Sequence, residues 1–209
     1  TASRVSALTT LYNPGGGNET NAWTVVISSA DKTGSTAANL NTINSATSVA
    51  VDLTEVTALA ASDISDLATL NTNNANFNNI TGVASINLTD NGGGGLSDVD
   101  FGALADVVDD SQTNFKNTVT FKFQAGDTID IDNSTELGKF VTDIGSSALT
   151  LTDQAVTVSG TTLSVTQARA IAADTTGTVT GSIDTASRVS ALTTLYNPGG
   201  GNETNAWTV

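Results

Sequence analysis

The chain contains no cysteine, no methionine and no histidine, and only two of its 209 residues are proline. Without cysteine there are no disulfides, no thiolate nucleophile and no zinc–sulfur site. Without histidine the usual acid–base group near neutral pH is missing. Aromatic residues make up 5%, and charged residues only 13%. The scarce charge is one-sided: seven Lys and Arg stand against 21 Asp and Glu, a net −14. Such a chain repels nucleic acid and anionic membrane surfaces and collects cations. No run reaches the ~18 apolar residues of a membrane span, so membrane insertion is not expected.

What is present is repetition. Residues 1–25, TASRVSALTTLYNPGGGNETNAWTV, recur letter for letter as residues 185–209. Divergent internal repeats keep their hydrophobic pattern and lose their loops, yet the loop NPGGGNET is unchanged here. Two origins fit an identical copy: a window on a longer natural array of 184-residue units, or an engineered overlap. We adopt the array, with residues 1–184 as one unit and 185–209 as the start of the next. The duplicated segment adds Arg188 and Glu203 and no net charge, so each unit carries −14. Arrays of this kind stack each repeat on its neighbour.

A shorter rhythm runs inside the unit. The β-rich runs WTVVIS (23–28), SVAVDL (48–53), VASINLT (83–89), TVTFKF (118–123), ALTLTD (148–153) and GTVTGSI (177–183) recur at a mean near 31 residues. Helical patterns lie between them. STAANLNTINSA spaces Leu40 and Ile43; SDISDLATLN spaces Ile64, Leu67 and Leu70 after a Ser62 cap. SDVDFGALADVV places Phe101, Leu104, Val107 and Val108 after a Ser97 cap, with Asp109 and Asp110 ending that helix in solvent. NSTELGKFVTDIG places Leu137, Phe140, Val141 and Ile144 on one face, with Gly145 as the stop. LSVTQARAIAADTTG does the same with Val165, Ala168, Ile171 and Ala172. DTASRVSALTTL has Asp184 or Thr185 as cap, then Val189, Leu192 and Leu195. The expected fold is an α/β solenoid of about six helix-plus-strand coils with a parallel sheet. A right-handed parallel β-helix, its helical stretches reduced to 3-10 turns, is the alternative. The Gly- and Asn-rich stretches NPGGGNETN, NTNNANFNN and TDNGGGG are read as turns at helix–strand junctions.

LSVTQARAIAADTTGTVTGSIDTASRVSALTT resembles phrases of the tandem-repeat regions of giant bacterial proteins that are secreted or held on the cell surface, beside RTX-like and adhesin modules. VTFKFQAGDTIDI resembles the F-x-x-G-D-x-I-D-[LI] motif common around calcium-binding repeats and type I secretion regions. The tandem G-G-x-G-x-D-x nonapeptides of RTX rolls are absent. The resemblance implies an extracellular or cell-surface location and a structural or adhesive role; the expected partners, from the repeat itself, are copies of the same unit in adjacent repeats or chains. It supplies no active site.

The candidate metal ligands are Asp127, Asp130 and Asp132, with Glu136 nearby; an oxygen-only set of this kind suits Ca²⁺. The competing reading is a solvated strand face, with Asp130 and Asp132 on one side and Ile129 and Ile131 on the other, followed by a helix cap at Asp132 or Ser134. In that reading there is no cofactor. Asp90, Asp98 and Asp100 around four glycines depart from the EF-hand spacing and read as a turn. The glycine runs lack the Lys-Ser/Thr of a phosphate loop. With no histidine, and one Trp and one Tyr per unit, an enzyme is not expected. Sequons at Asn18, Asn79, Asn87, Asn133 and Asn202 permit surface glycosylation. Trp23 and Tyr12 are expected to pack where one unit meets the next.

Overall fold

The computed structural model describes residues 22–89, 99–115, 119–184 and 205–208. It divides into two compact units. The first takes residues 1–93 and 107–121, the second 94–106 and 122–209.

The first unit begins with a 3-10 turn, Ser29–Asp31, and helix α1 (Ala37–Ser45). Strands β1 (Val51–Asp52) and β2 (Ala58–Ser62) lead into α2 (Ile64–Thr72). Two further 3-10 turns, Asn74–Asn76 and Ile80–Gly82, flank β3 (Phe77–Asn78), and β4 (Ser85–Leu88) follows. The pairing is parallel and steps along the chain. Val26 bridges to Asp52, and Asp52 pairs with Asn78, so each partner lies 26 residues on. A second series runs from Ser35 to Leu59 and from Leu59 to Ile86. Inward residues alternate with exposed ones, as a sheet with one buried face requires. Val51, Leu53, Leu59, Ile86 and Leu88 are fully buried, as are Leu40, Leu67 and Leu70 of the helices. Burying each such side chain is worth about 1.5–3 kcal/mol.

Caps set the helix starts. Thr36 caps α1 by accepting from Asn39 N–H at 3.1 Å. Asp63, not Ser62, caps α2, accepting from Ser65 N–H at 2.8 Å. Ser62 is buried, and its hydroxyl accepts from Ala37 N–H at 3.0 Å, 25 residues back. It therefore serves α1, a helix distant in sequence.

Strand β5 (Val99–Asp100) opens α3 (Phe101–Asn114), which crosses the division between the units. The predicted face Phe101, Leu104, Val107 and Val108 is buried. Asp109 and Asp110 are exposed but do not end the helix, which continues to Asn114. Strand β6 (Thr120–Lys122) lies beside β4, Thr120 N–H donating to Ala84 C=O at 3.0 Å.

In the second unit β7 (Thr128–Ile131) precedes α4 (Ser134–Gly145). Then come β8 (Leu149–Thr150), β9 (Ala155–Leu163), α5 (Val165–Asp174), β10 (Val179–Ile183) and β11 (Ala206–Thr208). Its main sheet has the order β11-β10-β9-β7-β5, all parallel. Ile129, Val156 and Val179 stand in register and are fully buried. Leu137, Phe140 and Ile144 of α4, and Val165, Ala168 and Ile171 of α5, are also buried, while Val141 and Ala172 are half-buried. Phe101 and Phe140 meet edge to face at 5.0 Å.

Gly145 is the last residue of α4 rather than its stop. The left-handed position belongs to Ser147, with φ 64°. Ser147 N–H donates to Ile144 C=O at 3.1 Å, and Ala148 N–H to Asp143 C=O at 2.9 Å. This pair of bonds is a Schellman motif. Ser164 and Gln167 form a capping box at the start of α5.

The protein is thus α/β with parallel sheets, and five α-helices of 9–14 residues among the described residues. Helices of this length correct the alternative in which these stretches were 3-10 turns. α2, α4 and α5 each follow two strands rather than the single strand expected per helix.

Candidate functional site

The three predicted calcium ligands fall on different sides of the chain. Ile129 and Ile131 are buried, and Asp130 between them is half-exposed, so β7 alternates as expected. Asp127 shares the parity of the isoleucines and is itself buried at 1% exposure; its Oδ2 accepts from Gln124 N–H at 2.8 Å, closing a turn. Asp132 is exposed, and its Oδ1 accepts from Ser159 Oγ at 2.9 Å, tying β7 to β9. Its own N–H donates to Glu136 Oε2 at 2.8 Å. Glu136 also accepts from Asn133 Nδ2 at 2.7 Å, and Asn133 accepts from Thr135 and Glu136 N–H. The N-cap of α4 is therefore Asn133, between the two expected positions. No group of three or more His, Cys, Asp or Glu suited to a metal ion occurs among the described residues.

Asp100 stands in register with Asp130 across β5 and β7, while Asp90 and Asp98 lie outside the described residues. Asn79, Asn87 and Asn133 are exposed; Asn18 and Asn202 lie outside the described residues. Asn79 adopts φ 63° and donates through Nδ2 to Asp52 Oδ1 at 3.0 Å and Thr54 Oγ1 at 2.8 Å. The Thr54 hydroxyl, then the Asn79 amide, then the Thr54 N–H hold the Asp52 carboxyl below its ordinary value of 3.8. A shallow cavity of about 150 Å³ is lined by Asn44, Thr47, Ser48, Val49, Ala50 and Asn76, with no ionisable side chain.

The described residues include the end of the duplicated segment in both copies, residues 22–25 and 205–208. In the first, Ala22, Trp23 and Thr24 read exposed, half-buried, exposed; in the second, Ala206, Trp207 and Thr208 read the same. The first copy bonds to the residues around β1 that follow it. Asp52 N–H donates to Val25 C=O at 2.9 Å, Ile27 N–H to Asp52 C=O at 3.0 Å, and Thr47 Oγ1 to Trp23 C=O at 2.6 Å. Val26, 57% exposed, is the one large apolar residue left in solvent among the described residues.

The second copy bonds to strand β10, which precedes it. Thr180 pairs with Ala206, Gly181 with Trp207 and Ser182 with Thr208, and Val179 N–H donates to Asn205 Oδ1 at 2.8 Å. Among the described residues β11 and β5 are the outer strands of this sheet. The predicted helix 184–195 and both tyrosines, Tyr12 and Tyr196, fall outside the described residues apart from Asp184. Pattern reading expected Trp23 at the seam between units; the structure pairs the segment of Trp23 with residues that follow it and the segment of Trp207 with residues that precede it. The letter-for-letter repeat was the available signal.

No protein-family model, curated protein or solved structure matches the chain. Among the described residues no helix is long and apolar enough to cross a membrane.

Proposed function

We propose that the chain is a structural, non-enzymatic repeat protein of the cell exterior, its 184-residue units stacked end to end into a filament, sheath or surface layer. Each unit is an α/β solenoid of six coils, and the duplicated segment is the first coil of the next unit. The observation that carries this reading is the stepwise parallel pairing, in which strands meet partners roughly one coil away and the same AWT segment fits against either neighbour. Heterologous contacts of this sort extend indefinitely unless they close into a ring.

A second reading is a spacer in the stalk of a large adhesin, with Ca²⁺ on its acidic faces stiffening it. The net −14 favours it, because like-charged exteriors resist side-to-side packing. Electron microscopy of the native material tests the proposal. Long fibres with a fixed repeat set by one unit are expected; single compact particles at every concentration would refute it.

A further inference from the structure

In a chain of net −14, the cavity of about 150 Å³ in the first unit has a lining without charge. Its walls come from two adjacent stretches of the chain. Asn44 lies in the last turn of α1, and Thr47, Ser48, Val49 and Ala50 lead from that helix into β1. Asn76 ends the 3-10 turn ahead of β3, the parallel partner of β1. Thr47 is buried and held from two sides: its hydroxyl donates to Trp23 C=O at 2.6 Å and accepts from Val49 N–H at 3.1 Å. The carboxamides of Asn44 and Asn76 and the hydroxyl of Ser48, by contrast, bond to no other described residue. Other asparagines of the same unit do use their amides inside the protein. Asn41 donates to Asp66 C=O, Asn71 to Ser111, Asn74 to Asn71 C=O and Asn79 to Asp52.

A carboxamide offers two donors and one acceptor oxygen, and a hydroxyl both donates and accepts. Groups of this kind around one small cavity suit a ligand that is itself covered in hydroxyls. Charge narrows the class. The lining has no cation, the protein as a whole is acidic, and the negative end of the α1 dipole lies at Asn44, so a carboxylated or sulfated ligand is repelled. Volume narrows it again. A cavity of about 150 Å³ holds one six-membered ring, and amides and hydroxyls in place of aliphatic walls favour a pyranose over a hydrocarbon.

We propose that this cavity binds one neutral pyranose unit of a saccharide. Asn44, Ser48 and Asn76 exchange hydrogen bonds with the ring hydroxyls, and Val49 and Ala50 supply apolar contact for its C–H groups. This goes beyond the structural reading above and does not rest on it. A single ring in a shallow cavity binds weakly, with a millimolar Kd at the efficiency of ordinary small ligands. Where the unit recurs along a chain, such sites act together on a polysaccharide through multivalency.

Titration of the isotope-labelled 209-residue chain with the methyl glycosides of glucose, galactose and mannose, followed by nuclear magnetic resonance, tests the site. At least one of them is expected to shift the side-chain amides of Asn44 and Asn76 and the backbone amides of residues 47–50, saturably and in the millimolar range. The methyl glycoside of glucuronic acid should bind several-fold more weakly than its glucose counterpart. The N44A/N76A variant should lose about tenfold in affinity and keep the parent's urea midpoint, because neither side chain bonds within the described protein. S48A, at an exposed position, repeats the test with a smaller loss should the double variant fold poorly.

No response of these amides to any of the three neutral glycosides would overturn the site. So would an equal response to the glucuronide, undiminished affinity in the variants, or saturable shifts confined to other residues. Shifts at the same amides when potassium chloride replaces choline chloride, with none from sugar, would mark a cation site instead and overturn the proposal too. Native fibres would leave the structural reading standing in every one of these cases.

Discussion

Replacing Gly160 by alanine should be among the most damaging single-methyl changes in the second unit. Gly160 sits in the irregular part of β9, where the register to β10 shifts between Thr180↔Thr157 and Ser182↔Thr162. Its φ is 42°, in the left-handed region, so an L side chain costs about 1–2 kcal/mol there. A Cβ would also lie inside the contact distance of the Asp132 carbonyl oxygen. That carbonyl cannot retreat cheaply, because Asp132 is held by Ser159 and Glu136 at the entrance to α4. Overpacking of this type adds about 1–3 kcal/mol. The sum, roughly 2–5 kcal/mol, is a large share of the ~5–15 kcal/mol that holds a typical domain folded.

In a chain of this size a loss of that order lowers Tm by about 4–20 °C, read by far-ultraviolet circular dichroism. Two further glycines separate the causes. Gly126 has φ 82° with open space around its Cβ direction, so Gly126→Ala carries only the conformational cost. Gly138, inside α4 with nothing near, should gain about 0.8–1 kcal/mol as alanine. If Gly160→Ala proves no worse than Gly126→Ala, the close approach to Asp132 does not govern the fold there.

Ser147→Gly should raise stability by about 1 kcal/mol, since glycine takes the left-handed position after α4 without penalty; a lower denaturation midpoint would contradict this. Asn71 and Ser111 are buried and bonded at 3.0 Å. Asn71→Leu should therefore cost about 1–3 kcal/mol, most of it recovered in N71L/S111A when the two are compared in urea. The lowered pKa of Asp52 adds stability that is complete above the unfolded value and lost as pH falls below 3.8 through the folded one. Nuclear magnetic resonance titration should place it below 3.8 and show it rising in Thr54→Val and in Asn79→Ala. Added Ca²⁺ or EDTA should leave Tm unchanged, because Asp127 is buried, Asp130 half-buried and Asp132 exposed, and the three do not converge on one site; a calcium-dependent rise would reinstate the three as ligands and favour the stalk reading.

The helix faces were the most legible part of the fold. Leu40 and Ile43, Leu67 and Leu70, and Leu137, Phe140 and Ile144 are spaced for one buried stripe, and the helices bury them. The alternation around Ile129 and Ile131 was equally plain. The second strand before a helix was harder to see. β2 is ALAAS, an alanine-rich stretch whose strand state comes from its neighbours Ser35 and β4 rather than from its own propensity. Caps slipped by one residue where long-range bonding intervened. Ser62 has the chemistry of a cap, but its hydroxyl is bound to Ala37, and Asp63 takes the role. The same limit applies to the acidic cluster: proximity in sequence put Asp127 beside Asp130, but Asp127 is buried in the turn ahead of β7, bonded to Gln124 N–H, while Asp130 lies half-buried within the strand.

The pairing of Val26 with Asp52 and of Asp52 with Asn78 also bears on how the protein is made. No strand in these pairs waits for a distant part of the chain; its partner is 26 residues away. The loop-closure entropy of joining them is that of a short segment. At a synthesis rate of roughly 5–20 residues per second, the partner of each strand emerges within a few seconds. Each of these strands then meets a partner that has already emerged, so this part of the chain can order itself progressively from the end that appears first.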